Sequence, residues 1–197
     1  MNLMTLRWPT GAIFGALLSA CGPTAPGTIA VDIARCEQTA SQEVALLAAT
    51  PDYVVETRAF DGPKPANIEA AAILASNPCA NATVMLTVRR IEDGAFVHGF
   101  VSSMNRMDLI EGHAGPPFDG AKLATFLGEW AKVTVATTDA APSGVVATTL
   151  DAAAYAEMQA KKAPMLCHAA NVHERACFSI DAEDPYTLTP FFTEDQS

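Results

Sequence analysis

The alternation of apolar and polar positions changes period several times along this chain, and each change marks an element. DYVVETRAF, residues 52 to 60, alternates and is rich in β-branched and aromatic residues, which predicts a strand. After the Pro-Gly loop DGPKP, Asn67 is placed to cap a helix over IEAAAILAS, which Asn77-Pro78 terminates. Two more strand-like runs, ATVMLTVRRIE and AFVHGFVSS, flank Asp93-Gly94, a dipeptide that favours a type I′ turn because both central residues need positive φ. Beyond the irregular stretch EGHAGPP, Asp119 can cap a helix whose Leu123, Phe126, Leu127 and Trp130 recur at i, i+3, i+4 and i+7, a core-facing stripe. AKVTVATT then returns to β-branched residues and reads as a strand.

A two-residue loop at Asp93-Gly94 pairs Glu92 with Ala95 and sets the register outward from there. One face then carries Val84, Leu86, Val88, Arg90, Val97 and Val101, the better core. The other carries Met85, Thr87, Arg89, Ile91, Phe96, His98 and Phe100, with His98 opposite Arg89. That second face is apolar enough to need a partial cover or to bind something, and Arg89, Phe96, His98 and Phe100 form a candidate aromatic and cationic platform for a glycan or peptide.

From residue 52 to 137 the order is strand, helix, strand, strand, helix, strand, the βαββαβ split of ferredoxin-like folds. The expected class is therefore α+β, an antiparallel sheet with helices on one face and a C-terminal extension. Residues 28 to 49 admit two readings. Ile29, Val31 and Ile33 alternate like a strand, whereas Ile33, Cys36, Ala40, Val44 and Leu47 follow helical spacing, and a helix ending before Pro51 is preferred. In the extension, DAAPSG is a loop, either a hinge that would subdivide the body near residues 138 to 146 or a surface connection. Asp151 caps AAAYAEMQAKK, RACFSI is a strand, and the acidic end with Phe191 and Phe192 is either a packed extension or a mobile tail.

The first twenty residues differ from this pattern. Arg7 precedes an apolar run from Gly11 to Ala20, the layout of a signal peptide. Ten residues of helix reach about 15 Å, half of a roughly 30 Å hydrocarbon core, so the run is expected to direct export and not to span. Leu18-Ser19-Ala20-Cys21 resembles the lipobox of bacterial lipoproteins, with a branched apolar residue three before the cysteine and two small residues between. The resemblance implies cleavage before Cys21, acylation of its thiol, and a body held on a membrane by the lipid. GPTAPG, residues 22 to 27, would be the tether, followed by a single α+β periplasmic domain over residues 28 to 197. Gly22 stands where enteric lipoproteins retained at the inner membrane have Asp, which points to the outer membrane of the cell envelope.

Charge and cysteine usage bear on the same compartment. The chain has 12 basic and 22 acidic residues. Arg7 is the only charge in the leader, so the mature form would carry a formal charge of −11, which disfavours nucleic acid and anionic lipid as partners. Cys36, Cys79, Cys167 and Cys177 remain in the body, an even number that reads as two disulfides in an exported chain. Three connectivities are open. Pairing of chain neighbours, Cys36 with Cys79 and Cys167 with Cys177, is preferred.

Signals for chemistry are sparse. There is no glycine-rich phosphate loop, G-x-S-x-G, H-E-x-x-H, S-x-x-K or C-x-x-C, which lowers the expectation of an enzyme, and no cofactor is implied. Cys167-His168 with His173 and Cys177, and Met104 and Met107 with His98 and His113, are the soft-ligand clusters. Disulfide formation and core packing are the preferred readings of these residues.

YVVETRAF, the Asn67 helix start and DGAFVHGFV closing a strand pair resemble the SPOR domain over residues 52 to 137. That family consists of βαββαβ units that bind denuded peptidoglycan glycans. Glu56 lies near the place of its usual first-strand glutamine, and no binding residue is carried over. The expectation is a non-catalytic envelope lipoprotein that binds a protein or peptidoglycan partner. The alternative is a periplasmic enzyme or metal-binding protein that uses histidines and acidic groups.

Overall fold

A computed structural model describes residues 36–64, 66–76, 78–107, 119–142, 147–171 and 173–195. Cys21, the leader, the tether and His113 lie outside them. The described chain is α+β, built on two four-stranded antiparallel sheets, each with its strands in sequence order. Sheet A contains β1 (Gln38–Val44), β2 (Tyr53–Phe60), β3 (Thr83–Arg90) and β4 (Phe96–Ser103). Sheet B contains β5 (Thr134–Thr137), β6 (Pro164–Ala169), β7 (Glu174–Ile180) and β8 (Leu188–Asp195). Helix α1 (Ile68–Ser76) joins β2 to β3. The single turn α2 (Met104–Met107) and α3 (Gly120–Trp130) lie between β4 and β5, and α4 (Ala152–Ala160) lies between β5 and β6.

The caps read from sequence are all formed. The side chains of Asn67, Asp119 and Asp151 accept from the backbone N–H groups of Ala70, Lys122 and Ala154 at 2.8, 3.0 and 2.8 Å. The stripe Leu123, Phe126, Leu127 and Trp130 is buried, and α3 packs on β1 and β2. There the buried Thr57 hydroxyl donates to the Leu127 carbonyl at 2.9 Å.

Three expectations are corrected. The order strand, helix, strand, strand, helix, strand over residues 52 to 137 is present, but not as a ferredoxin-like sheet. β2 and β3 are antiparallel neighbours, and β5 pairs with β6 in sheet B. Second, the segment favoured as a helix contains β1, antiparallel to β2 from Gln38↔Ala59 to Val44↔Tyr53. The helical spacing of Cys36, Ala40 and Val44 also suits a strand, because every second residue shares a face. The Asp52 carboxylate then accepts from the N–H groups of Leu46, Leu47 and Ala48 and closes the turn into β2. Third, the β3–β4 loop is longer than two residues. Arg90 N–H donates to the Ala95 carbonyl and Gly94 N–H to the Arg90 carbonyl, leaving Ile91 to Gly94 in the loop. Gly94 takes φ 68°, and Asp93 does not share a positive φ.

The acidic end is packed. It forms β8, with Phe191 and Phe192 buried against Cys167, Cys177, Met165 and the α4 side chains of Tyr155 and Met158. The opposite face of sheet B supplies Leu166, Ile180 and Leu188 to the larger core, where they join Tyr53, Val55, Val84, Leu86 and Val88 of sheet A and the α3 stripe. The two disulfides join Cys36 to Cys79 and Cys167 to Cys177. The first ties the approach to β1 to the turn before β3, and the second crosses directly opposed positions of β6 and β7.

Candidate functional site

A bulge in β4, and not the loop length, decides which side chains meet. In β3 and β4, Leu86 pairs with Phe100 and Val88 with His98, but Arg89 pairs with Phe96, so Val97 is an extra residue in β4. This register is one residue from that of a two-residue turn, and a one-residue slip exchanges the faces of a strand. His98 and Phe100 therefore turn inward with Leu86 and Val88, while Val101, expected in the core, is 61% exposed.

The proposed platform is thus divided. Arg89 and Phe96 remain together on the outer face of sheet A, the guanidinium 5.7 Å from the ring centroid and Phe96 57% exposed. The Phe96 ring lies over Gly99, where a Cβ would come within 2.9 Å of its Cζ. Val101 lies on the same face, and Ile91 is exposed at the end of β3.

On the inner side His98 meets His168 of β6, Nε2 to Nε2 at 3.2 Å. His168 is 2% exposed and His98 half-buried. Phe178 of β7 stacks on the His168 ring at an interplanar angle of 12° and lies 4.2 Å from the His98 centroid, while Phe100 stands 5.1 Å from His168 and 6.1 Å from Trp130. The Ala169 carbonyl is 3.0 Å from His168 Nδ1 and accepts from Trp130 Nε1 at 3.0 Å. A carbonyl only accepts, so His168 carries its proton on Nδ1 and offers the Nε2 lone pair to the N–H of His98 Nε2. Burial, together with His168, pushes the His98 imidazole down to about 4. Burial lowers His168 as well, partly offset by its bond to Ala169.

The soft-ligand clusters do not assemble. Cys167 and Cys177 are bonded to each other, alternation sends His168 to the opposite face of β6 from Cys167, and His173 is exposed in the β6–β7 loop. Met104 and Met107 are fully buried in the core. Among the described residues no three His, Cys, Asp or Glu side chains converge. The His98–His168 meeting was not legible in the sequence: the residues are 70 positions apart and belong to different sheets. No protein-family model, curated protein or solved structure matches this chain.

Proposed function

We propose that this chain is a lipid-anchored protein of the bacterial envelope, facing the periplasm and probing it for a protein or peptidoglycan partner through the outer face of sheet A. The address rests on the lipobox at Leu18 to Cys21 and on two disulfides, which suit an oxidising compartment. The binding role rests on one observation: Phe96 and Val101 are large apolar side chains left open on a sheet face, with the Arg89 guanidinium against the aromatic ring. An aromatic face flanked by a guanidinium can cover a sugar ring or a peptide side chain. The histidine pair is a poorer starting point for catalysis, because among the described residues its neighbours are aromatic rings and not a carboxylate or nucleophile.

Two measurements test this reading. Cys21→Ser should release the protein from membranes and abolish acyl labelling; unchanged membrane fractionation defeats the anchor. A photocrosslinking residue at position 96 or 101 should trap one discrete envelope protein, or the detergent-solubilised protein should be retained on denuded peptidoglycan. Phe96→Ala with Val101→Lys should abolish whichever is seen. Neither crosslink nor retention would remove this face as the binding surface.

A further inference from the structure

The contact between the two sheets at His98 and His168 leads beyond the binding role and does not depend on it. Sheet A contributes His98 from β4, sheet B contributes His168 from β6, and α3 contributes Trp130. These three elements meet on one chain of hydrogen bonds. His98 Nε2–H donates to His168 Nε2, His168 Nδ1–H donates to the Ala169 carbonyl, and Trp130 Nε1–H donates to the same oxygen. The chain is complete when both imidazoles are neutral. The groups packed around the rings are Val88 from β3, Phe100 from β4, Phe178 and Ala176 from β7, and Trp130 from α3. None carries a charge, and among the described residues the only titratable neighbour acting on His98 is His168.

We propose that this pair is an acid-operated latch between the two sheets: neutral, it bonds β4 to β6, and proton uptake by the pair puts positive charge into the seam and loosens it over Phe100, Phe178 and Trp130. A first proton on His98 Nδ1 leaves the bond between the rings in place but makes an imidazolium among aromatic rings, and a second, on His168 Nε2, sets two N–H donors against each other. Among the described residues no carboxylate is placed to meet that charge. Water outside the seam solvates the charged rings better, which favours the open arrangement. His98 sits at the half-buried rim, so protons reach the pair without prior unfolding.

The direction in pH follows from linkage. Burial holds His98 at about 4, below its ordinary 6.5, so the closed state binds fewer protons than an open or unfolded one. The stabilisation is fully present above 6.5 and is lost as pH falls through the window from 6.5 toward about 4. His168 is displaced in the same direction and adds to the loss.

Trp130 is a direct probe, since it bonds to Ala169 and packs against Phe100. The chain has two tryptophans, so Trp8→Phe leaves Trp130 alone in the full-length protein held in detergent. Its emission should shift to the red as pH is lowered from 6.5 to 4, with β-sheet circular dichroism retained, and return on neutralisation. His98→Phe with His168→Phe, which keeps two flat rings and removes both titrations, should abolish the shift. His98→Gln retains a donor toward His168 Nε2 while removing one titration, and should move the midpoint to lower pH; it decides the matter if the double variant does not fold. No shift in the parent protein, or the same shift and midpoint in the variant that folds, would overturn the latch.

Discussion

At the scale of single residues, Val97 decides more than any charged or aromatic side chain. As the extra residue of β4 it sends His98 and Phe100 inward and Val101 outward, which creates the histidine contact and opens the outer face together. Gly62 is a second position where one residue governs its surroundings. A Cβ there would lie 1.9 Å from the backbone carbonyl oxygen of Asn81, whose side chain donates to the Pro63 carbonyl at 2.7 Å. Backbone cannot move aside as the end of a flexible side chain can. Gly62→Ala should therefore cost about 1–3 kcal/mol as an overpacked contact, read by chemical denaturation, whereas Gly99→Ala, which meets only the tip of the Phe96 ring, should cost less. Equal losses at the two glycines would contradict this distinction.

Among the elements, the helices are the most locally determined. Asn67, Asp119 and Asp151 each cap the helix that follows, and the α3 stripe is buried as its spacing requires. Asp119→Ala should lower stability by about 1 kcal/mol, since its side chain accepts from the Lys122 backbone N–H. A loss near zero in denaturant titrations would show that packing on β1 and β2 carries α3 without its cap. The strands were less legible. β1 satisfies two periods at once, and its pairing with β2 decides between them. β6 lies in PMLCHA, a short run bounded by Pro164 and without clear alternation, and is recognised as a strand by its partners β5 and β7.

For the whole molecule, two sheets share one large core, and a smaller cluster sits between sheet B and α4. The disulfides reinforce these regions unequally. Cys36–Cys79 closes a loop of 43 residues and Cys167–Cys177 one of 10. In the loop-entropy account the first contributes about 4 kcal/mol and the second about 3 kcal/mol. Paired Cys→Ala replacements should therefore lower the denaturation midpoint more at Cys36 and Cys79 than at Cys167 and Cys177. The reverse order would mean that the cross-strand bond acts chiefly through native packing of β6 on β7. In either case the body is strongly acidic, and a partner on the outer face of sheet A would meet Arg89 as a cation within an anionic molecule.

Wherever the cause is short-range, the sequence by itself determined the outcome: the α+β class, the helix caps, the apolar stripe of α3 and the strands around Asp93-Gly94. These follow from side chains acting within a turn or two, or from a periodicity carried by one element. Tertiary structure alone decided that β2 and β3 lie side by side antiparallel, that β5 leaves the first sheet for a second, and that the acidic end returns as β8. It also decided the faces of β4, because a bulge of one residue reverses every later side chain while leaving the apolar pattern unchanged. The platform written along one strand was consequently split across two faces. The histidine that His98 meets comes from the other sheet, and strand pairing over long sequence distances, not local periodicity, brings it there.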